Sequence, residues 1–84
     1  MVQWELITSA SRIFSKFVEV PGMTPGRHAV ASLTEVGDGD VPFLGDATMK
    51  VYNVVPHYGS VEVRGEVDWD NDIRIRITVM VSDL

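Results

Sequence analysis

Asp68, Asp70 and Asp72, with Asn71 between the last two, form a D-x-D-N-D run. Alternate oxygen ligands at that spacing converge on a hard cation in calcium loops of the EF-hand kind. The comparison stops after the opening. The sixth and twelfth loop positions, which need a glycine and a bidentate glutamate, hold Ile73 and Val79. Asp70, Asn71 and Asp72 therefore read as a tight turn, since Asp and Asn tolerate left-handed backbone and bond their own main chain. Neither a metal nor a cofactor is expected.

The remaining nucleophiles and bases are scattered. His28 and His57 share no ligand spacing with each other or with a carboxylate motif. Ser60 follows Gly59 without the G-x-S-x-G context of a nucleophile elbow. Gly37, Gly39 and Gly45 lack the Lys-Ser/Thr ending of a phosphate loop. No two of the acidic residues are singled out by an apolar setting, so no catalytic residue is assigned. Binding is the better reading. Tyr52 and Arg64, beside Lys50, Glu66 and Arg76, combine a planar aromatic with forked donors, as a carbohydrate or protein partner would use. His57 and Tyr58 form a second patch at a loop tip. The candidate ligand-binding residues are Tyr52, His57, Tyr58, Arg64, Asp70, Asn71 and Asp72.

The elements that must position these residues are strands. Val61, Val63, Val67 and Trp69 alternate with Glu62, Arg64, Glu66 and Asp68, and Gly65 is the gap on the apolar side. Ile73, Ile75, Ile77, Val79 and Val81 repeat the period of two. A hairpin closed by Asp70-Asn71-Asp72 would pair Trp69 with Ile73 and Val67 with Ile75, setting Asp68 beside Arg74 and Glu66 beside Arg76. A five-residue turn from Pro56 to Ser60 would add Ala47 to Val55 as a third strand. Lys50 then faces Glu66, Tyr52 faces Arg64, and Asn53 is the one misfit on the apolar side. Met80, with Val54 beside Glu62, leaves one end of the outer face apolar, a patch for subunit contact.

The first half is less sharply patterned. Val2, Trp4 and Leu6 mark a short strand. Arg12 to Val20 and Arg27 to Val36 carry both helix and strand signals, and Pro21-Gly22 and Pro25-Gly26 favour strands by punctuating at turn spacing. Two short helices in an α+β fold are the alternative. Gly37 to Asp46 has turn composition. The expectation is all-β: one small antiparallel β-sandwich domain of about six strands spanning residues 1–84, ending in a three-stranded meander.

Composition bounds the function classes. The 84 residues are 45% hydrophobic and 23% charged, within the range of folded globular chains. A net charge of −5, with no basic cluster, argues against nucleic acid as a partner. The longest apolar runs are a few residues, which predicts no membrane span and no signal peptide, and so a cytoplasmic or virion-associated protein. Zero Cys leaves the compartment open and provides no cross-link for a domain this small.

Asn53-Val54-Val55, Gly59, the strand to Asp68-Trp69, the Asp-containing turn and the strand Ile73 to Val81 resemble the last three strands of H-type lectins. The resemblance implies a six-stranded sandwich that assembles as a trimer or hexamer and binds N-acetylgalactosamine-type sugars. The closing strand, Thr78-Val79-Met80-Val81, lacks the aromatic usual there. Two function classes follow. One is a non-enzymatic homo-oligomer, a trimer by the resemblance, that recognises a glycan or surface receptor. The other is a structural, decoration or tail protein of a phage-like particle, whose work is subunit contact.

Overall fold

The computed structural model describes residues 1–82. It is all-β, with six strands: β1 (Val2–Ala10), β2 (Arg12–Glu19), β3 (Ala29–Glu35), β4 (Thr48–His57), β5 (Ser60–Asp68) and β6 (Ile73–Val81). The two ambiguous N-terminal stretches are strands, and the helical content is a single turn over Asp38–Asp40. Two antiparallel three-stranded sheets face each other, one ordered β1-β6-β3 and the other β2-β5-β4. The central strands β5 and β6 carry the core. Val61, Val63 and Val67 oppose Ile75, Ile77, Val79 and Val81, all of them fully buried. Phe14, Val18, Val20 and Met23 complete it.

The expected β5–β6 hairpin does not form. β5 and β6 lie in different sheets, and Trp69–Asp72 carries the chain across the sandwich. The C-terminal meander thus reduces to the β4–β5 hairpin. The physical reason is that two alternating strands bury their apolar rows equally well side by side or face to face. The charge pairs inferred from the hairpin are consequently absent. Asp68 pairs with Arg12, Glu66 accepts from Tyr52, Arg74 meets Asp40 at 2.6 Å and Arg76 approaches Glu5 at 3.7 Å. The Arg74 hydrogen bond holds the Asp40 carboxyl below the usual carboxylate range.

Three further corrections concern β4. It runs through Pro56 to His57, so the turn to β5 is Tyr58-Gly59, with His57 facing Ser60 and Gly59 at φ +80°. Lys50 faces Glu66 as expected, but the register shifts between Val51 and Asn53. Asn53, not Tyr52, faces Arg64, and Tyr52 is the extra residue of a β-bulge. The shift turns Asn53 outward and sends Val54 against the core, which removes the misfit. Val54 is therefore not part of an outer apolar patch with Met80, which belongs to the other sheet.

Candidate functional site

At one end of the sandwich the chain changes sheet twice in close proximity. Ser11 is the only residue between β1 and β2, and Arg12 takes φ +57°, a left-handed conformation uncommon for a side-chain-bearing residue. The corner is held from the β5–β6 crossover. Ser11 Oγ donates to Asp72 Oδ1 at 2.7 Å, Arg12 Nη1 to Asp68 Oδ1 at 3.2 Å, and Arg12 Nη2 to Asp70 Oδ1. A tight bond from the Trp69 amide to the Val67 carbonyl, 2.8 Å, turns the chain out of β5. Trp69 is left 41% exposed, outside the buried core cluster.

Arg12, Asp68, Trp69, Asp70 and Asn71 line a pocket of about 330 Å³. A second cleft of about 380 Å³ also includes Trp69, with Glu35, Phe43, Leu44 and Asp46 among its walls. This cleft runs into a third of about 540 Å³ that shares Phe43 and Leu44 and reaches Leu33 and Met49. Trp69 thus stands between a polar pocket and a longer, more apolar trough. The polar pocket offers a forked cation, two carboxylates and an amide next to an indole. Carboxylate oxygens accept from hydroxyls, a guanidinium donates to ring or carbonyl oxygens, and an indole face packs on the C–H face of a sugar. The loop's tethers fix that arrangement before a ligand arrives, which lowers the ordering cost of binding.

The sequence-predicted residues divide among three places. Asp70 and Asn71 line the polar pocket, while Asp72 serves as the latch on Ser11. Tyr52 and Arg64 stand on the outer face of the β2-β5-β4 sheet, where Tyr52 donates to Glu66 and Arg64 lies between Ser15 and Asn53. The bond to Glu66 raises the Tyr52 pKa above the usual tyrosine value. His57 sits at the far end of that face, its Nε2 3.0 Å from Glu62 and its ring 5.6 Å from Phe17. Tyr58 projects from the β4–β5 turn, a strand length away from Asp70. Arg12, Asp68 and Trp69 were missed as site residues. Arg12 opens a stretch that carries both helix and strand signals, Asp68 falls beside Arg74 in the expected hairpin, and Trp69 falls in register with the apolar row. Among the described residues no group of three His, Cys, Asp or Glu side chains is placed to hold a metal ion. Among the described residues no helix is long and apolar enough to cross a membrane. Comparisons with protein-family models, curated proteins and solved structures find no match.

Proposed function

We propose that the chain is a non-enzymatic, oligomeric carbohydrate-binding module and that Arg12, Asp68, Trp69, Asp70 and Asn71 form its sugar site. The observation that carries this reading is the half-exposed Trp69 indole set beside two carboxylates that Arg12 holds in place. The trough beyond Trp69 suits a further sugar unit. The H-type lectin resemblance supports the same class of ligand and adds the expectation of a trimer. The test is a glycan array with the native chain and with Trp69→Ala and Asn71→Ala. Retention of a defined glycan set by the native chain, lost in Trp69→Ala at an unchanged melting temperature, supports the site. Failure to retain any glycan overturns the carbohydrate reading, and equal retention by Trp69→Ala overturns the site.

The second reading, a decoration or tail component of a phage-like particle, draws on a different surface. Ile13, Phe17 and Val55 are exposed on the outer face of the β2-β5-β4 sheet, flanking the charged column Glu62, Arg64 and Glu66. Exposed apolar side chains gathered on one face with polar neighbours are what a protein contact surface offers.

A further inference from the structure

An open sandwich has four edge strands, here β1 and β3 in one sheet and β2 and β4 in the other. Edges invite unwanted pairing, and proteins blunt them with bulges, prolines, inward-pointing charges or covering segments. Three of these edges carry such a device. β4 has the bulge at Tyr52 and contains Pro56. β2 places Lys16 opposite the core residue Val63, on the inward row. The end of β3 is covered by the segment after the helical turn, through a Val36–Pro42 bridge and a bond from the Phe43 amide to the Glu35 carbonyl.

β1 has none of them. Its nine residues, VQWELITSA, contain no Pro, Gly or Lys, and its register with β6 runs without a shift. Among the described residues its backbone makes no hydrogen bond to another backbone group outside that ladder. Its inward row is also unfinished. Val2, Trp4, Leu6 and Thr8 are only half-buried, while the residues they face on β6 are fully buried. The Trp4 Nε1 hydrogen is out of solvent with no acceptor.

We infer that the free edge of β1 pairs antiparallel with β1 of a second copy of this chain, about a twofold axis at Leu6, joining two three-stranded sheets into one. That register suits the strand's pairing with itself in two ways. All nine residues pair, since Leu6 is the midpoint of Val2–Ala10. Glu5, the strand's single charge, faces the partner's Ile7, whereas a shift that set the two Glu5 residues opposite each other would be repulsive. Trp4 comes beside the partner's Thr8, so the two half-buried inward rows continue one another across the new seam. This inference gives the proposed oligomer its first contact and replaces a plain trimer with a dimer or an even-numbered assembly.

The chain has no Cys, so introduced cysteines report alone. Chains carrying Gln3→Cys and chains carrying Ser9→Cys, both on exposed positions, are refolded together and oxidised, and the native chain is sedimented in parallel. Residue 3 and the partner's residue 9 would be about 5 Å apart at Cα, within disulfide reach. Residue 3 and the partner's residue 3 would be about 20 Å apart, six residues along the strand, and beyond it. The expected result is an even multiple of the 9.3 kDa chain mass and a disulfide-linked dimer in the mixture only. A mass of one chain overturns both this pairing and the oligomer reading. A larger mass without the mixed disulfide, a disulfide in either chain alone, or a bare trimer overturns the pairing and leaves assembly standing.

Discussion

Ser11 donates its hydroxyl to Asp72 across 2.7 Å, although 61 residues of chain separate them. That bond joins the corner where β1 becomes β2 to the crossover where β5 gives way to β6, and Arg12 adds its contacts to Asp68 and Asp70 beside it. One such exposed bond contributes about 1 kcal/mol. Its greater consequence is for the crossover loop, whose freedom is restricted before any ligand binds.

The left-handed backbone at Arg12 makes Arg12→Ala and Arg12→Gly unequal. Both remove the guanidinium from Asp68 and Asp70, but only glycine adopts φ +57° without a Cβ penalty. Arg12→Gly should exceed Arg12→Ala in stability by about 1 kcal/mol, a gap of roughly 4–8 °C in melting temperature for a chain of this size. If the proposed sugar site holds, both should weaken glycan binding alike. Identical melting curves would mean that the corner does not hold this conformation in solution.

Gly65 is the break in the apolar row of β5, and the structure gives the reason. A Cβ there would meet the Lys50 carbonyl oxygen at 2.7 Å, Phe14 Cζ at 3.1 Å and Leu33 Cδ1 at 3.3 Å. The Phe14 ring occupies the side-chain space that Gly65 leaves empty. Gly65→Ala should therefore destabilise by about 1–3 kcal/mol, the usual cost of overpacking against groups that cannot move. Denaturant unfolding at constant slope would measure it, and a neutral or stabilised variant would contradict the close approach.

Much of the fold was legible because alternation fixes which residues face inward. Lys50 opposite Glu66 was recoverable for that reason, and Asn53, out of phase, was the mark of the bulge. That β4 neighbours β5 was legible, but the neighbours of β6 were not. Glu66 beside Arg76 satisfied the same pattern as Glu66 beside Tyr52, because exposed charges find partners in many registers. The Arg12–Trp69 site was hidden more deeply. It depends on a sheet-to-sheet corner at Ser11 that no Gly or Pro marks.

The corrected topology changes the expected couplings. Arg76 approaches Glu5 at 3.7 Å across the β1–β6 ladder, while Glu66 lies in the other sheet. A double-mutant cycle on Glu5 and Arg76 should show coupling of a few tenths of a kcal/mol, as for half-exposed pairs generally. The cycle on Glu66 and Arg76 should show none. Coupling in the second cycle instead would restore the hairpin.

The D-x-D-N-D run should not respond to calcium. Asp68 and Asp70 are held by Arg12 and Asp72 by Ser11, so a cation would have to displace a guanidinium and a hydroxyl. Melting temperature should stay constant in millimolar calcium. A site filled at a hundred times its dissociation constant would add about 2.7 kcal/mol, a shift of several degrees. A shift of that size, abolished by Asp70→Ala, would assign the run to metal binding.

The bulge in β4 carries its own titration signature. It sets the Tyr52 hydroxyl on the Glu66 carboxylate, and that hydrogen bond, helped by burial and by the charges of Glu66 and Asp68, raises the Tyr52 pKa. The neutral phenol is the favoured form in the folded chain. Its contribution to stability is therefore fully present below the pKa of an unfolded tyrosine, about 10, and is lost as the pH rises through the higher folded value. In a Tyr58→Phe background Tyr52 is the sole tyrosine, since the chain has two. Phenolate absorbance should then titrate late, and Glu66→Gln should move the midpoint downward. A midpoint indifferent to Glu66→Gln would separate the two side chains.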